Sequence, residues 1–145
     1  MKKYNVGLLG CGDICDIYFN YCLRSEILNM AACASLHEEK AHRKAQEYSI
    51  PKACSIDDLI SDPQIDIILN LTVPEVHAKF NLAALEAGKH VYSKKTLAAI
   101  HENKKKIIAL AKSKGLKVGC APDTFLGGRL QTCRKAIDEG LIGEP

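Results

Sequence analysis

Two glycines near the start of the chain have the spacing of a phosphate-binding turn. Gly10 and Gly12 come directly after an apolar run and directly before a stretch with helical periodicity. In such a turn the first glycine allows a tight bend, and the second lets backbone approach a phosphate without a Cβ in the way. The following helix points unpaired N–H groups at the anion, so Asp13 and Ile14 belong to the predicted site. The third small residue of the full G-x-G-x-x-G pattern is Cys15, so the match is incomplete, but its position predicts a dinucleotide pyrophosphate site.

The end of the second predicted strand bears on the choice of cofactor. An NAD enzyme usually places an acidic residue there, where it bonds the ribose 2′-hydroxyl. Ser35 stands in that place and is followed by Leu36 and His37. Ser35 can bond a hydroxyl or a phosphate, and it lacks the repulsion that an aspartate would exert on a 2′-phosphate. His37, His42 and Arg43 could add positive charge, although exposed helix positions explain them equally well. The cofactor is therefore predicted to be NAD or NADP, with a slight preference for NADP.

Short apolar runs alternate with helical patterns along the whole chain. Strands and helices that alternate through short connections imply parallel pairing and right-handed crossovers. The sequence therefore predicts an α/β fold, with a single Rossmann-type domain built on a doubly wound, mainly parallel sheet. The predicted strands are 4–9, 30–36, 65–71, 90–92 and 116–121. The predicted helices are 13–25, 38–48, a short one that Ser55 caps and that stops before Pro63, 75–87, 102–114 and 124–139.

The composition is that of an ordinary globular domain. The 145 residues are 47% hydrophobic and 26% charged, and the net charge is +3. This charge, spread along the chain, does not predict nucleic-acid binding, and no segment approaches the roughly 18 apolar residues of a membrane span. Because no signal-peptide pattern precedes the first strand, we expect a cytoplasmic protein that binds neither nucleic acid nor membrane. Seven cysteines without a C-x-x-C pair predict buried, reduced thiols, and we expect no metal.

Several further motifs, in order along the chain, match one oxidoreductase family. Thr72-Val73-Pro74-Glu75-Val76-His77 has the family's Thr-Pro loop with a histidine a few residues on. Residues 83–91, Ala-Ala-Leu-Glu-Ala-Gly-Lys-His-Val, match a family helix and strand nearly residue for residue, and Lys94-Lys95-Thr96 stands where the family has Glu-Lys-Pro. With the opening at 6–14 and Gly-Leu-Ile-Gly-Glu-Pro at 140–145, the chain resembles the N-terminal domain of the Gfo/Idh/MocA oxidoreductases, such as glucose-fructose oxidoreductase and inositol dehydrogenase.

The resemblance implies hydride transfer between NAD(P) and a sugar, a cyclitol or a related hydroxyl or carbonyl compound. Lys95 matches the family lysine that lies near the nicotinamide and the reacting oxygen, where an ammonium could stabilise alkoxide charge and help to relay a proton. The sequence departs from the family motif at two positions, since Lys94 replaces the glutamate and Thr96 replaces the proline. These replacements fit either a retuned or an abandoned catalytic site. His77 could face the cofactor or be packed, and Asp123 could contact the cofactor or cap a helix. The cofactor contacts that the resemblance implies are Leu71, Thr72, Val73, Pro74, His77, Lys94, Lys95 and Asp123.

We interpret residues 1–145 as one NAD(P)-binding domain of a normally two-domain protein. The resemblance implies a second domain after the chain, which supplies the substrate pocket and a homo-oligomer interface, so this chain alone is expected to be inactive. Three alternatives stay open. They are a non-catalytic dinucleotide sensor or regulatory protein, an S-adenosylmethionine methyltransferase (whose two usual acidic residues are missing) and a structural interaction module.

Overall fold

The computed structural model describes residues 3–122 and 127–143, and six strands and six helices lie within them. The strands are β1 (Tyr4–Leu9), β2 (Leu28–Ala34), β3 (Lys52–Cys54), β4 (Ile67–Asn70), β5 (His90–Ser93) and β6 (Val118–Cys120). The helices are α1 (Cys15–Arg24), α2 (Glu38–Tyr48), α3 (Ile56–Ser61), α4 (Pro74–Glu86), α5 (His101–Ser113) and α6 (Gly128–Asp138).

The strands form one parallel sheet whose order reverses beside β1. The spatial order is β3-β2-β1-β4-β5-β6, so the chain builds outward to β3 and then returns to the other side of β1. In open parallel sheets, ligands bind at the carboxyl ends of the strands where this reversal occurs. Leu9 of β1 is aligned with Ala34 of β2 and Asn70 of β4. The three loops that follow these residues therefore meet at one edge of the sheet.

Apolar clusters cover both faces of this sheet, because successive strand residues point to opposite sides. Leu8 packs in the same cluster as Phe19 of α1, whereas Leu9 packs in the cluster that contains Leu85 of α4. All four side chains are fully buried. Burial of one side chain of this size contributes about 1.5–3 kcal/mol, so β1 and the turn after it are held from both sides. The doubly wound Rossmann-type architecture predicted from the sequence is confirmed.

Most boundaries lie within two residues of the sequence prediction, and three differences bear on the fold. β3 is not among the predicted strands, because three residues are too few to show an alternating pattern, yet it pairs with residues 32–34 of β2. α1 begins at Cys15 instead of residue 13, because residues 12–14 form a turn in which Cys15 N donates to Gly12 O at 3.1 Å. α6 begins at Gly128, and the predicted start at residue 124 lies outside the described residues.

Ser55 caps α3, as its sequence context predicts. Its Oγ accepts a hydrogen bond from Asp58 N at 3.1 Å, which satisfies one of the unpaired N–H groups at the start of the helix. We expect Ser55→Ala to lower the free energy of unfolding by about 1 kcal/mol, measured by urea denaturation. Ser61→Ala, at the other end of α3, removes a hydroxyl that donates to carbonyl oxygens of its own helix, those of Asp57 and Asp58, and should cost less. Equal losses in the two variants would contradict a stabilising role for the cap.

Of the seven cysteines, which the pattern predicts to be buried, Cys11, Cys15, Cys22 and Cys33 are buried, Cys54 and Cys120 are half-buried, and Cys133 is exposed. Burial raises the pKa of Cys15 to about 12 and also raises the pKa of Cys22, so both thiols are protonated at neutral pH. Within residues 3–122 and 127–143, no group of three or more Cys, His, Asp or Glu side chains is arranged to hold a metal ion. None of the helices in these two segments has the length and apolar character needed to cross a membrane.

Candidate dinucleotide-binding site

Gly10 occupies a position that only glycine can fill. Its φ of +105° lies in the left-handed region, and its N–H donates to Ala34 O at 2.8 Å. A Cβ at this position would stand 2.8 Å from both the carbonyl carbon of Leu71 and the amide nitrogen of Thr72. The turn after β1 therefore packs directly against the loop after β4, and backbone meets backbone with no room for a side chain.

Gly12 stands in the opposite environment, since a Cβ built on it would meet no atom within 4 Å. The residue is exposed at the start of the turn that leads into α1. The first N–H groups of α1 have no partner within the helix, so this open space lies beside a ready-made anion site. The two glycines thus have different roles. Gly10 allows the turn to pack against the backbone of Leu71 and Thr72, whereas Gly12 leaves open space in which a ligand can approach the backbone.

A groove runs across the carboxyl edge of the sheet on both sides of the glycine turn. Its part near β2, the β2-side cavity, measures about 460 Å³, and its part near β5, the β5-side cavity, measures about 440 Å³. Both are lined by Gly12, Leu71, Thr72 and Val73, so they meet over the turn. Two cavities of ligand-binding size joined over a phosphate-binding turn fit a molecule made of two nucleosides and a pyrophosphate.

Most of the residues predicted from the sequence line this groove. The β2-side cavity is lined by Gly10, Gly12, Ser35, Leu36, His37, Leu71, Thr72 and Val73, and the β5-side cavity also by Asp13, Ile14, Pro74 and Lys94. Two predicted residues do not line it, since Lys95 is exposed beside the groove and His77 is buried beneath it. The prediction for Asp123 lies outside the described residues.

The β2-side cavity also contains residues that the sequence analysis missed. Ile56, Val76 and Phe80 give it an apolar wall, and Lys40 and Lys79 add two cations. Only the packing of α2, α3 and α4 brings these residues to the groove, so no local pattern marks them. An apolar wall with a few polar groups is the usual lining of a pocket for a planar, partly apolar ligand such as a nucleobase.

Positive charge gathers beside Gly12, on the outer side of the turn. A small cavity of about 150 Å³ lies there, and its charged lining consists of three cations and two carboxylates, namely Lys40, Arg43, Lys44, Asp13 and Asp16. Lys44 is engaged there, since it forms ion pairs with Asp16 at 2.5 Å and with Glu47 at 2.9 Å. The hydrogen bond from Lys44 holds the pKa of Asp16 below its usual range. Within the described part of the chain, Lys40 and Arg43 form no ion pair, so their charges remain available to an anion.

The two lysines after β5 are placed differently. Lys94 is half-buried, lines the β5-side cavity, and donates its N–H to Asn70 O at 2.9 Å. Lys95 is exposed and lines neither cavity. The peptide bond between Lys95 and Thr96 is cis. We call residues 94–97 the lysine loop and residues 71–73 the Thr72 loop.

His77 is fully buried between these two loops. Its Nδ1 lies 2.5 Å from Thr96 O and its Nε2 lies 2.9 Å from Thr72 O. Both partners are backbone carbonyl oxygens on different loops, so the two ring nitrogens bridge the loops. The ring therefore contacts the backbone behind the groove and presents no nitrogen to a ligand in it.

The fold and the groove define a dinucleotide-binding α/β domain, with a glycine turn and a helix N-terminus at the reversal of the strand order. The chain belongs to the Gfo/Idh/MocA oxidoreductases, because residues 4–121 match the family described as "Oxidoreductase family, NAD-binding Rossmann fold". The resemblance found in its motifs is thereby confirmed.

Relatives of known activity share this domain. A 1,5-anhydro-D-fructose reductase from Ensifer adhaerens is 30% identical over 140 residues, which are 96% of this chain and 42% of that protein. A 3-ketoreductase from Actinomadura kijaniata, solved with NADP and TDP-benzene, superposes with a TM-score of 0.90 at 25% identity, over 99% of this chain and 44% of its own. A biliverdin reductase from Synechocystis, solved with biliverdin and NADP+, superposes with a TM-score of 0.84 at 28% identity. The superposition covers 92% of this chain and 42% of the reductase chain.

The chain thus spans less than half the length of each of these proteins. What they share with it is the dinucleotide-binding domain of an oxidoreductase.

Proposed function

We propose that this chain is the NAD(P)-binding domain of a longer oxidoreductase that transfers hydride between a nicotinamide cofactor and a sugar, a cyclitol or a related hydroxyl or carbonyl compound. The observation that carries the proposal is the groove over Gly10 and Gly12 at the reversal of the strand order. The substrate class is supported by the names of relatives, which include an inositol 2-dehydrogenase and the 1,5-anhydro-D-fructose reductase.

The groove residues would divide the work of holding the cofactor. Gly12 and the N-terminus of α1 would bind the pyrophosphate, and the apolar wall of Ile56, Val76 and Phe80 would take a nucleobase. When bound, the nicotinamide supplies the hydride acceptor or donor. Lys95 would polarise the reacting oxygen and exchange its proton, while Lys94 lines the cavity on that side.

The remaining groups of the active site would come from a second domain beyond residue 145. Relatives more than twice as long as this chain support this proposal. So do exposed apolar side chains on and after α6, among them Leu130, Leu141 and Ile142, which a further domain could cover. Alone, this chain would bind the cofactor and turn over little or no substrate, and oligomerisation would depend on the second domain.

Calorimetric titration of the chain with NADPH and NADH tests the proposal. We expect saturable binding of at least one of them, with one site per chain. S-adenosylmethionine serves as the control ligand, because a methyltransferase also begins with a glycine-rich turn after its first strand. Binding of S-adenosylmethionine, or of none of the three compounds, would contradict the proposal.

One observation favours a second candidate, a dinucleotide sensor of the same fold that has lost catalysis. Lys95 lies outside both cavities, and its neighbours Lys94 and Thr96 depart from the family motif. Such a protein would bind the cofactor as the enzyme does but would not convert substrate. Assays of the longer protein with a panel of cyclitols and aldoses separate the two candidates.

The charges around Ser35 favour NADP over NAD as the cofactor. Ser35 lines the β2-side cavity together with Lys40, which also lines the small cationic cavity with Arg43. Two cations without an ion-pair partner in the described part of the chain, beside a neutral serine, suit a 2′-phosphate better than a bare hydroxyl.

The Ser35→Asp variant should therefore change this choice. A carboxylate would repel a 2′-phosphate and bond a ribose 2′-hydroxyl, and one such charged contact is worth about 1.5–3 kcal/mol. We expect the ratio of NADP to NAD affinity to fall roughly tenfold to a hundredfold, as measured by calorimetry.

A second test on α2 compares the variant Lys40→Ala with its matched control His42→Ala. Lys40→Ala should lower the same ratio by weakening NADP alone, whereas His42 lines neither cavity of the groove and its loss should leave the ratio unchanged. An unchanged ratio in Ser35→Asp would mean that the ribose is recognised elsewhere.

A further inference from the structure

Besides Ser93, whose Oγ donates to the adjacent Lys94 O, three polar side chains are fully buried next to the groove. They are Asn70 at the end of β4, and His77 and Asn81, which lie four residues apart on one face of α4. Burying polar groups is costly unless each is hydrogen-bonded. Every buried side-chain nitrogen and oxygen in the described part of the chain has a partner. These three side chains and their bonds form what we call the buried polar network.

One side of the network holds the lysine loop by its backbone. His77 Nδ1 bonds Thr96 O, and Asn81 Nδ2 donates to Leu97 O at 3.1 Å. Consecutive carbonyl oxygens, directly after Lys95, are thus fixed by consecutive turns of α4. The lysine side chain itself is exposed and lines neither cavity, so its position depends on this backbone.

The other side of the network holds the Thr72 loop, which is a wall of the groove. Asn70 Oδ1 accepts from Thr72 Oγ1 at 2.6 Å and from Thr72 N at 3.2 Å, while His77 Nε2 bonds Thr72 O. Asn70 Nδ2 donates to Asn81 Oδ1 at 2.8 Å and joins the two sides. His77 is the one member of the network whose side chain bonds both loops.

We propose that His77 is a positioning residue, which fixes the lysine loop, and with it Lys95, relative to the groove wall at Thr72, with Asn81 as its support. This inference rests on the proposed function insofar as it assigns a catalytic task to Lys95. The network itself is a property of the chain and can be tested without turnover.

Hydrogen exchange of the chain, measured by mass spectrometry, tests the network. His77→Leu keeps the volume and removes both ring nitrogens, so amides of residues 94–98 should exchange roughly tenfold faster or more, as expected when a buried hydrogen bond is lost. NADPH should still bind, because the glycine turn and residues 35–37 are unaltered. His77→Gln retains a side-chain N–H donor that can reach one of the two carbonyl oxygens and should restore part of the protection.

A destabilised control separates positioning from a general loss of stability. Ile65→Ala removes a buried side chain before β4, at the opposite edge of the sheet from the lysine loop. It should lower the melting temperature without a selective change at residues 94–98. If the exchange of this segment rises equally in His77→Leu and Ile65→Ala, the network does not hold the loop and the proposal is overturned.

Steady-state kinetics of the longer protein test the consequence for Lys95. Misplacing a catalytic group by about 1 Å can cost roughly 10²-fold in rate. We expect His77→Leu to lower kcat by about that factor while KM for the cofactor stays within roughly threefold, and Ile65→Ala to leave kcat unchanged. An unchanged kcat in His77→Leu would overturn the positioning role. Failure of the wild type to bind a nicotinamide cofactor would instead overturn the proposed function, and the exchange comparison would still decide on the network.

Discussion

Gly12→Val is expected to fold normally and to lose dinucleotide binding. A Cβ at residue 12 meets no protein atom within 4 Å, and its φ lies outside the left-handed region, so the folded chain accommodates the side chain. The same side chain would occupy the space where backbone must approach the pyrophosphate. Losing two charge-assisted hydrogen bonds there costs about 3–6 kcal/mol, so we expect the NADPH dissociation constant to rise more than roughly a hundredfold. Calorimetry measures the affinity, and thermal unfolding checks the fold.

Two other glycines provide matched controls for this experiment. Gly10→Val should prevent folding, because its Cβ would stand 2.8 Å from backbone of the Thr72 loop at a positive φ. Gly128→Val should fold and bind like the wild type, since residue 128 is equally open and lies at the start of α6. Tight NADPH binding by Gly12→Val would remove the basis for assigning the pyrophosphate to this turn.

The elements that could be predicted from the sequence are those whose residues carry a complete local pattern. The run at 4–9, the glycine turn and the capped helix after Ser55 each contain their signal within a few neighbouring residues. β3 does not, because its three residues become a strand only through pairing with β2. The start of α1 depends on the turn at residues 12–14, which directly follows the close packing of Gly10 against the Thr72 loop.

The residues of the candidate site likewise include some that could be predicted from the sequence and some that could not. Residues that follow the carboxyl end of a strand could be predicted, because the topology brings these ends together regardless of the orientation of the helices. Lys40 and Phe80 could not, since they reach the groove only through the orientation of α2 and α4. The buried polar network left two signals, the motif histidine His77 and the polar Asn70 at the end of an otherwise apolar strand. A polar residue in such a strand indicates that it has a partner, but the partner of Asn70, Asn81, is set by how α4 packs on the sheet.

Lys95→Ala in the longer protein is expected to lower kcat by about 10²-fold or more. A positioned group that exchanges a proton with the reacting oxygen contributes roughly 10²–10⁴ to the rate, and alanine removes it. Because Lys95 lines neither cavity, the dissociation constant of the cofactor should change little. Steady-state kinetics with the substrate and calorimetry with the cofactor measure the two quantities separately.

Lys94→Ala is the matched control, because the two lysines are neighbours in one loop but differ in their relation to the groove. Lys94 lines the β5-side cavity, so its loss should weaken cofactor binding and lower kcat less than the loss of Lys95. If the two variants lose activity in the opposite order, the match to the Glu-Lys-Pro motif is displaced by one residue. Lys94 would then be the residue that acts on the reacting oxygen, and its bond to Asn70 O would tie it to the same buried polar network that holds Thr96.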